Sequence, residues 1–184
     1  PTRRSSDLKL MKVSRLLRLI SGVVLILCGY LPAAAQQNGF VSTRGKEVIS
    51  PDGKPFIMRG TNLGNWLVPE GYMFGFQRAN SPRLINQVFR ELTGPSETRL
   101  FWKQWLDNFI TAADIHYLKS LGMNSIRVPF NYRLFTKENY LGENNENRGF
   151  ELLDRLLTWC KKEQLYVVLD MLCAPGGQTG DNID

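Results

Sequence analysis

Histidine is all but missing from this chain: His116 is the only one in 184 residues. Cysteine is scarce, with Cys28, Cys160 and Cys173 alone. Neither type recurs at metal-ligand spacing, and one histidine cannot build a site, so no metal is expected. Cys160 and Cys173 lie in or beside apolar segments, which suits buried thiols, with a disulfide as the alternative in an exported protein. There is no internal repeat and no low-complexity tract. A basic field is missing as well, although the net charge is +6. Residues 1–35 hold Arg3, Arg4, Lys9, Lys12, Arg15 and Arg18 against Asp7, which leaves 17 basic and 16 acidic residues in 36–184. Nucleic-acid binding loses its main support, and no nucleic-acid partner is expected.

What is present is a globular composition, 43% apolar and 22% charged, behind a leader. Met11–Arg15 with Arg18 is a positive n-region, Leu19 to Leu31 is an apolar h-region, and Ala33-Ala34-Ala35 offers small residues for a signal peptidase. A signal peptide over 11–35, cleaved before Gln36, is expected. The protein is then exported: periplasmic, cell-surface or extracellular, with no stable membrane insertion after cleavage. A retained anchor is the weaker alternative, since Gly22, Gly29 and Pro32 interrupt a stretch shorter than the ~20 apolar residues a span needs. Residues 1–10 stand apart. Pro1 to Leu8 matches, residue for residue, the translation of a common short-read sequencing adapter, so a non-native extension before Met11 is expected.

The body, 36–184, alternates strands and helices. Val41 to Met58 has the pattern of a hairpin, its arms Val48-Ile49 and Phe56–Met58 flanking the turn Ser50–Lys54. A strand ending near Asn62 follows. Residues 65–110 form an insertion with helices over Pro82–Leu92 and Glu97–Ile110, broken at Thr93-Gly94-Pro95. Trp102 and Trp105 share a helix face, which suits core packing. Thr111 to Asp114 opens a helix with capping-box spacing, closed by Gly122. Asn124 to Phe130 is a strand that Pro129 should halt. Arg133 to Arg148 is polar loop. Gly149 to Gln164 is an amphipathic helix with Phe150, Leu153, Leu157 and Cys160 on one face and a Glu151–Arg155 pair outside. Leu165 to Leu169 is a continuous apolar run, as in a parallel strand buried on both faces. Strand, helix, strand, helix, strand with polar loops is the opening of a parallel α/β fold. Three βα units behind an N-terminal hairpin would be the N-terminal part of a (β/α)8 TIM barrel, which takes ~250 residues in full. A truncated barrel over 36–184 is therefore expected.

Three strand-end motifs carry a resemblance. Arg59-Gly60-Thr61-Asn62-Leu63-Gly64-Asn65-Trp66-Leu67-Val68-Pro69-Glu70 resembles the first-strand motif of glycoside hydrolase family 5, nearest its exo-β-1,3-glucanase branch. Leu121 to Phe130 resembles the second-strand motif and Leu169 to Gln178 the third. The resemblance implies retaining hydrolysis of β-glucan oligo- or polysaccharide by two glutamates ~5–5.5 Å apart, with no cofactor. In the family those glutamates follow strands four and seven, so no catalytic carboxylate is assigned here, Asp170 included, and the chain itself is expected to be inactive. By resemblance Arg127 supports the nucleophile, while Glu70, Asp181, Asn182 and the weaker candidate Tyr132 contact sugar. Trp66 suits core packing better than sugar stacking, Asn62 and Asn124 are structural, and His116 is a packing residue.

One departure stands out. The family places histidine where this chain has Leu172, two residues after Asp170, and leucine makes no hydrogen bond to sugar. A single base change separates the two codons, so a sequencing error is one explanation. If the leucine is native, Leu172→His in a full-length parent is expected to raise turnover. The alternatives to a hydrolase are a non-catalytic carbohydrate-binding barrel, which Leu172 favours, and a membrane-anchored protein that keeps its leader.

Overall fold

A computed structural model describes residues 39–176. The leader, the adapter-like residues, Asp181 and Asn182 lie outside the described residues. The chain divides after Ile57 into two compact units.

The first unit holds a short antiparallel hairpin of β1 (Ser42–Arg44) and β2 (Glu47–Ile49), turned at Gly45, whose φ is 63°. This hairpin lies one turn earlier than the pattern predicts. The Ser50–Lys54 turn forms, with Gly53 at φ 81° and Ser50 N–H donating to Lys54 O at 2.9 Å. Beyond it a bridge, Ile49 to Pro55, and a bond, Phe56 N–H to Val48 O at 2.7 Å, join the second arm to β2. Pro55 has no N–H to continue a ladder.

The second unit is built on a parallel sheet, β3 (Gly60–Asn62), β4 (Ser125–Asn131) and β5 (Tyr166–Cys173), in the order β3-β4-β5. The predicted strand, helix, strand alternation is present, but the described residues form three open strands and no closed barrel. Between β3 and β4 come α1 (Pro82–Thr93), α2 (Pro95–Asn108) and α3 (Ala112–Ser120), and between β4 and β5 comes α4 (Arg148–Lys162). Each helix start has a local cause. Ser81 Oγ accepts from Leu84 N–H ahead of Pro82, and Thr111 and Asp114 form a full capping box. Gly94, at φ 84°, ends α1 and starts α2, a backbone conformation that side chains resist.

Helices and sheet share one core. Ile126 and Val128 of β4, Ile85 of α1, Trp102 and Leu106 of α2, Ile115 of α3 and Leu152 and Leu156 of α4 are all essentially inaccessible. Phe74, Phe76, Phe89, Phe101, Trp102, Trp105 and Phe109 join by ring contacts along one side of it. Trp66 and Trp102 are fully buried, as core packing predicts.

Several expectations need correction. Pro129 does not halt its strand, because β4 runs on to Asn131. The sheet accommodates the missing donor by a shift of register: from Pro129↔Asp170 to Asn131↔Cys173, β5 advances one residue more than β4. The buried stripe of α4 is Gly149, Leu152, Leu153, Leu156 and Cys160, while Phe150 is 58% and Leu157 37% exposed. Glu151 and Arg155 do not pair. Arg148 reaches Glu151 at 3.4 Å, and Arg155 turns to Asp107 of α2 at 3.4 Å. Val168 and Leu169 of β5 are 42% and 48% exposed, so this strand is not buried on both faces in the described sheet. His116 is no packing residue: it lies on the surface with Nδ1 3.2 Å from Glu163 Oε1. Cys160 and Cys173 are buried thiols.

Candidate active site

The carboxyl ends of β3, β4 and β5 lie side by side, and a parallel α/β scaffold places its chemistry there. Asn62 of β3 is the register partner of Arg127 in β4, so both side chains leave the same face of the sheet. Arg127 is in register with Val168 of β5, and Asp170 lies two residues on, on that face again. The result is a three-strand polar link. Arg127 Nη1 donates to Asn62 Oδ1 at 2.8 Å, and Nη2 donates to Asp170 Oδ2 in a charge-assisted contact. Two fixed partners on one planar guanidinium set its position and plane. Gly60 makes the close strand approach possible, since a Cβ there would overlap the Ser125 carbonyl. The recess over this face, about 480 Å³, is lined by Gly60, Asn62, Ser125, Arg127 and Val168 among others.

Asn124 anchors the start of β3 from the other side. Its Oδ1 accepts from Arg59 N–H at 2.7 Å, and its N–H donates to Arg59 O at 2.8 Å. Both Asn62 and Asn124 are thus structural, as expected, but Asn62 also holds a candidate site residue.

Glu70 stands on the loop after β3, and that loop is fixed by two tryptophans. Trp66 Nε1 donates to Leu106 O and Trp105 Nε1 donates to Asn65 O, each at 3.0 Å. Asn65 is buried at φ 61°, and its Oδ1 accepts from Glu70 N–H at 2.9 Å. The half-buried Glu70 side chain comes beside Gly64, as does the Met73 side chain. No hydrogen bond or ion pair joins Glu70 to Arg127 among the described residues. Tyr132 follows β4 directly, and its hydroxyl donates to Glu138 Oε2 at 3.1 Å. Tyr132 is therefore tied to Glu138, and no hydrogen bond joins it to Arg127 among the described residues. Leu172 sits within the register shift of β5, half-buried.

Chemically, the Arg127 link presents a held cation at the strand ends. Asp170 is its counter-charge, and a carboxylate so engaged is not a nucleophile in waiting. Its part in holding Arg127 escapes sequence inspection, since 43 residues separate the two. The available signal was a carboxylate directly after the apolar run Leu165–Leu169. The described residues contain no group of three or more His, Cys, Asp or Glu able to hold a metal.

Parallel strands, helical crossovers and a polar strand-end link define an α/β scaffold of the kind enzymes use. Residues 86–175 match the family model for cellulase (glycosyl hydrolase family 5). A β-xylosidase of Phanerodontia chrysosporium is 34% identical over 142 residues, 77% of this chain and 29% of that protein. The probable glucan 1,3-beta-glucosidase A of Aspergillus clavatus is 30% identical over 126 residues, 67% of this chain and 30% of its own length. The crystal structure of rutinosidase from Aspergillus niger superposes with a TM-score of 0.52 at 22% identity, over 66% of this chain and 34% of that one, a likeness of fold alone. The chain belongs to glycosyl hydrolase family 5. That membership implies the (β/α)8 barrel family, of which three parallel strands are described here. The chain spans less than a third of the length of these two relatives.

Proposed function

We propose that this chain forms the first part of the substrate face of a retaining glycoside hydrolase acting on β-glucan. The observation that carries the reading is Arg127 held between Asn62 and Asp170 at the strand ends. A guanidinium fixed there favours an ionised carboxylate beside it, which is what a glutamate nucleophile requires. Arg127 supports that nucleophile, and Glu70, Tyr132, Asp181 and Asn182 serve the sugar. No metal or organic cofactor takes part in the retaining mechanism.

The two glutamates of that mechanism follow strands four and seven of a barrel, and the three strands described here supply the supporting and sugar-contacting face. β-1,3 linkage is favoured by the Arg59–Glu70 motif and by the relative named a probable glucan 1,3-beta-glucosidase. Export is supported by the leader, and among the described residues no helix is long and apolar enough to cross a membrane.

The test is binding of β-1,3-linked glucose oligomers to the chain by calorimetry, beside reducing-sugar release. Binding without release, lost in Arg127→Ala, is expected. Binding unchanged in Arg127→Ala would overturn the assignment of the site. A long sequencing read across the source locus separates the hydrolase from a non-catalytic binding barrel: strand-end glutamates after strands four and seven favour the first, and their absence the second.

A further inference from the structure

A second recess, of about 370 Å³, lies between the first turns of α1 and the segment that follows β4. Its size is within the ~300–1,000 Å³ of small-molecule sites. Arg83 and Asn86 line it from α1, and Arg133, Glu138, Asn139 and Leu141 from the other side.

Two of its polar groups, on Asn86 and Glu138, are held by partners that leave other atoms to the recess. Asn86 Oδ1 accepts from Trp102 Nε1 at 3.0 Å, so the amide Nδ2 is the part left to donate. Trp102 is fully buried and packed edge-on against Phe74 and Phe89, which makes it a rigid anchor. Glu138 Oε2 accepts from both Tyr132 Oη and Arg133 Nε at 3.1 Å, which leaves Oε1 as an acceptor.

The backbone beneath is strained. Tyr140 and Glu143 exchange bonds of 2.7 and 3.0 Å around a two-residue turn, with Leu141 at φ 53° and Gly142 at φ 80°. Such a turn favours Asn-Gly, and a leucine at positive φ is an outlier. Here the leucine is buried, 3% exposed, and packs into the core at the wall of the recess. Strain kept in a tight turn beside a polar recess is the kind of outlier that marks a ligand site.

The mixture also selects a ligand class. Two arginines disfavour a metal ion, and the Glu138 carboxylate disfavours an anion. Guanidinium and amide donors beside one carboxylate acceptor match a pyranose, whose hydroxyls both donate and accept. We propose that this recess binds a further glucosyl residue of the β-glucan chain, apart from the Arg127 link. The proposal rests on the glycan reading above.

The test is calorimetry on the full chain with β-1,3-linked glucose dimer and hexamer. The hexamer is expected to bind roughly tenfold more tightly than the dimer, the worth of one or two hydrogen bonds. The double variant Arg83→Ala/Asn139→Ala changes two exposed side chains, and Glu138→Gln keeps shape while removing charge. With circular dichroism unchanged, each is expected to remove most of the hexamer advantage and leave dimer binding as it was. A hexamer advantage that survives both variants, or is absent from the parent chain, would overturn the recess as a sugar site. The dimer measured in Arg127→Ala reports on the strand-end site, so each assignment fails separately.

Discussion

Asp107→Asn is expected to destabilise the protein at neutral pH and to lose most of that effect in acid. Asp107, near the end of α2, receives Arg148 Nη2 at 2.7 Å, Lys103 Nζ at 2.9 Å and Arg155 Nη1 at 3.4 Å. Partial burial pushes its carboxyl up, but hydrogen bonds from Arg148 and Lys103 outweigh this and draw the pKa from 3.8 to about 2. Such a drop corresponds to about 2 kcal/mol, reduced to about 1–2 kcal/mol by solvent screening of a group still partly exposed. The same contact raises the pKa of Arg148 against the opposing effect of its own burial. Because the folded value is depressed, the stabilisation is fully present above about pH 4 and is lost as pH falls towards 2. Replacement also leaves two cations partly buried, Arg148 with a side chain only 13% exposed. Urea unfolding of parent and variant at pH 7, 4 and 2.5 is the assay. A gap of at least about 1 kcal/mol at pH 7 that narrows by pH 2.5 is expected. Equal stabilities at pH 7, or a gap that ignores pH, would refute the reasoning.

Thr111→Ala removes the hydroxyl of the α3 capping box and should cost about 1 kcal/mol in the same unfolding experiment. Burial raises the Cys160 thiol to about 11, so it should resist alkylation at pH 8 in the folded chain and react promptly in urea. Fast labelling of the native protein at this position would contradict its placement in the core. Gly60→Ala sets a methyl group against the Ser125 carbonyl and should separate β3 from β4. Loss of glucan binding together with loss of thermal stability is the expected result, and wild-type behaviour would mean that the strands lie farther apart.

Features set by neighbours in the chain were legible in the sequence. The Gly94 break, the Thr111–Asp114 cap and all three parallel strands depend on residues a few positions apart. The face of α4 was not, because Phe150 and Leu157 are as apolar as the Leu152 and Leu156 beside them. The buried stripe begins at Gly149, which carries no hydrophobic signal, and packs tightly against the Phe135 ring. The partners of Asp107 on α4 were hidden for another reason: they lie 41 and 48 positions further along the chain, and only packing of α2 against α4 brings Arg155 to Asp107 instead of Glu151. At the candidate site, Arg127 was visible from its motif, whereas its clamp by Asn62 and Asp170 required strand register. The recess beneath Asn86 and Glu138 needed the tertiary structure throughout, since no spacing in the chain brings α1 to the segment after β4.

The exchange of hydrogen bonds between residues 65–66 and 105–106 gives the protein a built-in optical gauge. Both indole N–H groups report on the same loop, the one that carries Glu70. If that loop lifts away from α2, Trp66 and Trp105 exchange carbonyl partners for water together, and their emission shifts to longer wavelength. The Trp66 and Trp105 part of the intrinsic emission, beside that of Trp102 and Trp159, therefore follows the seating of the Glu70 loop without any added dye.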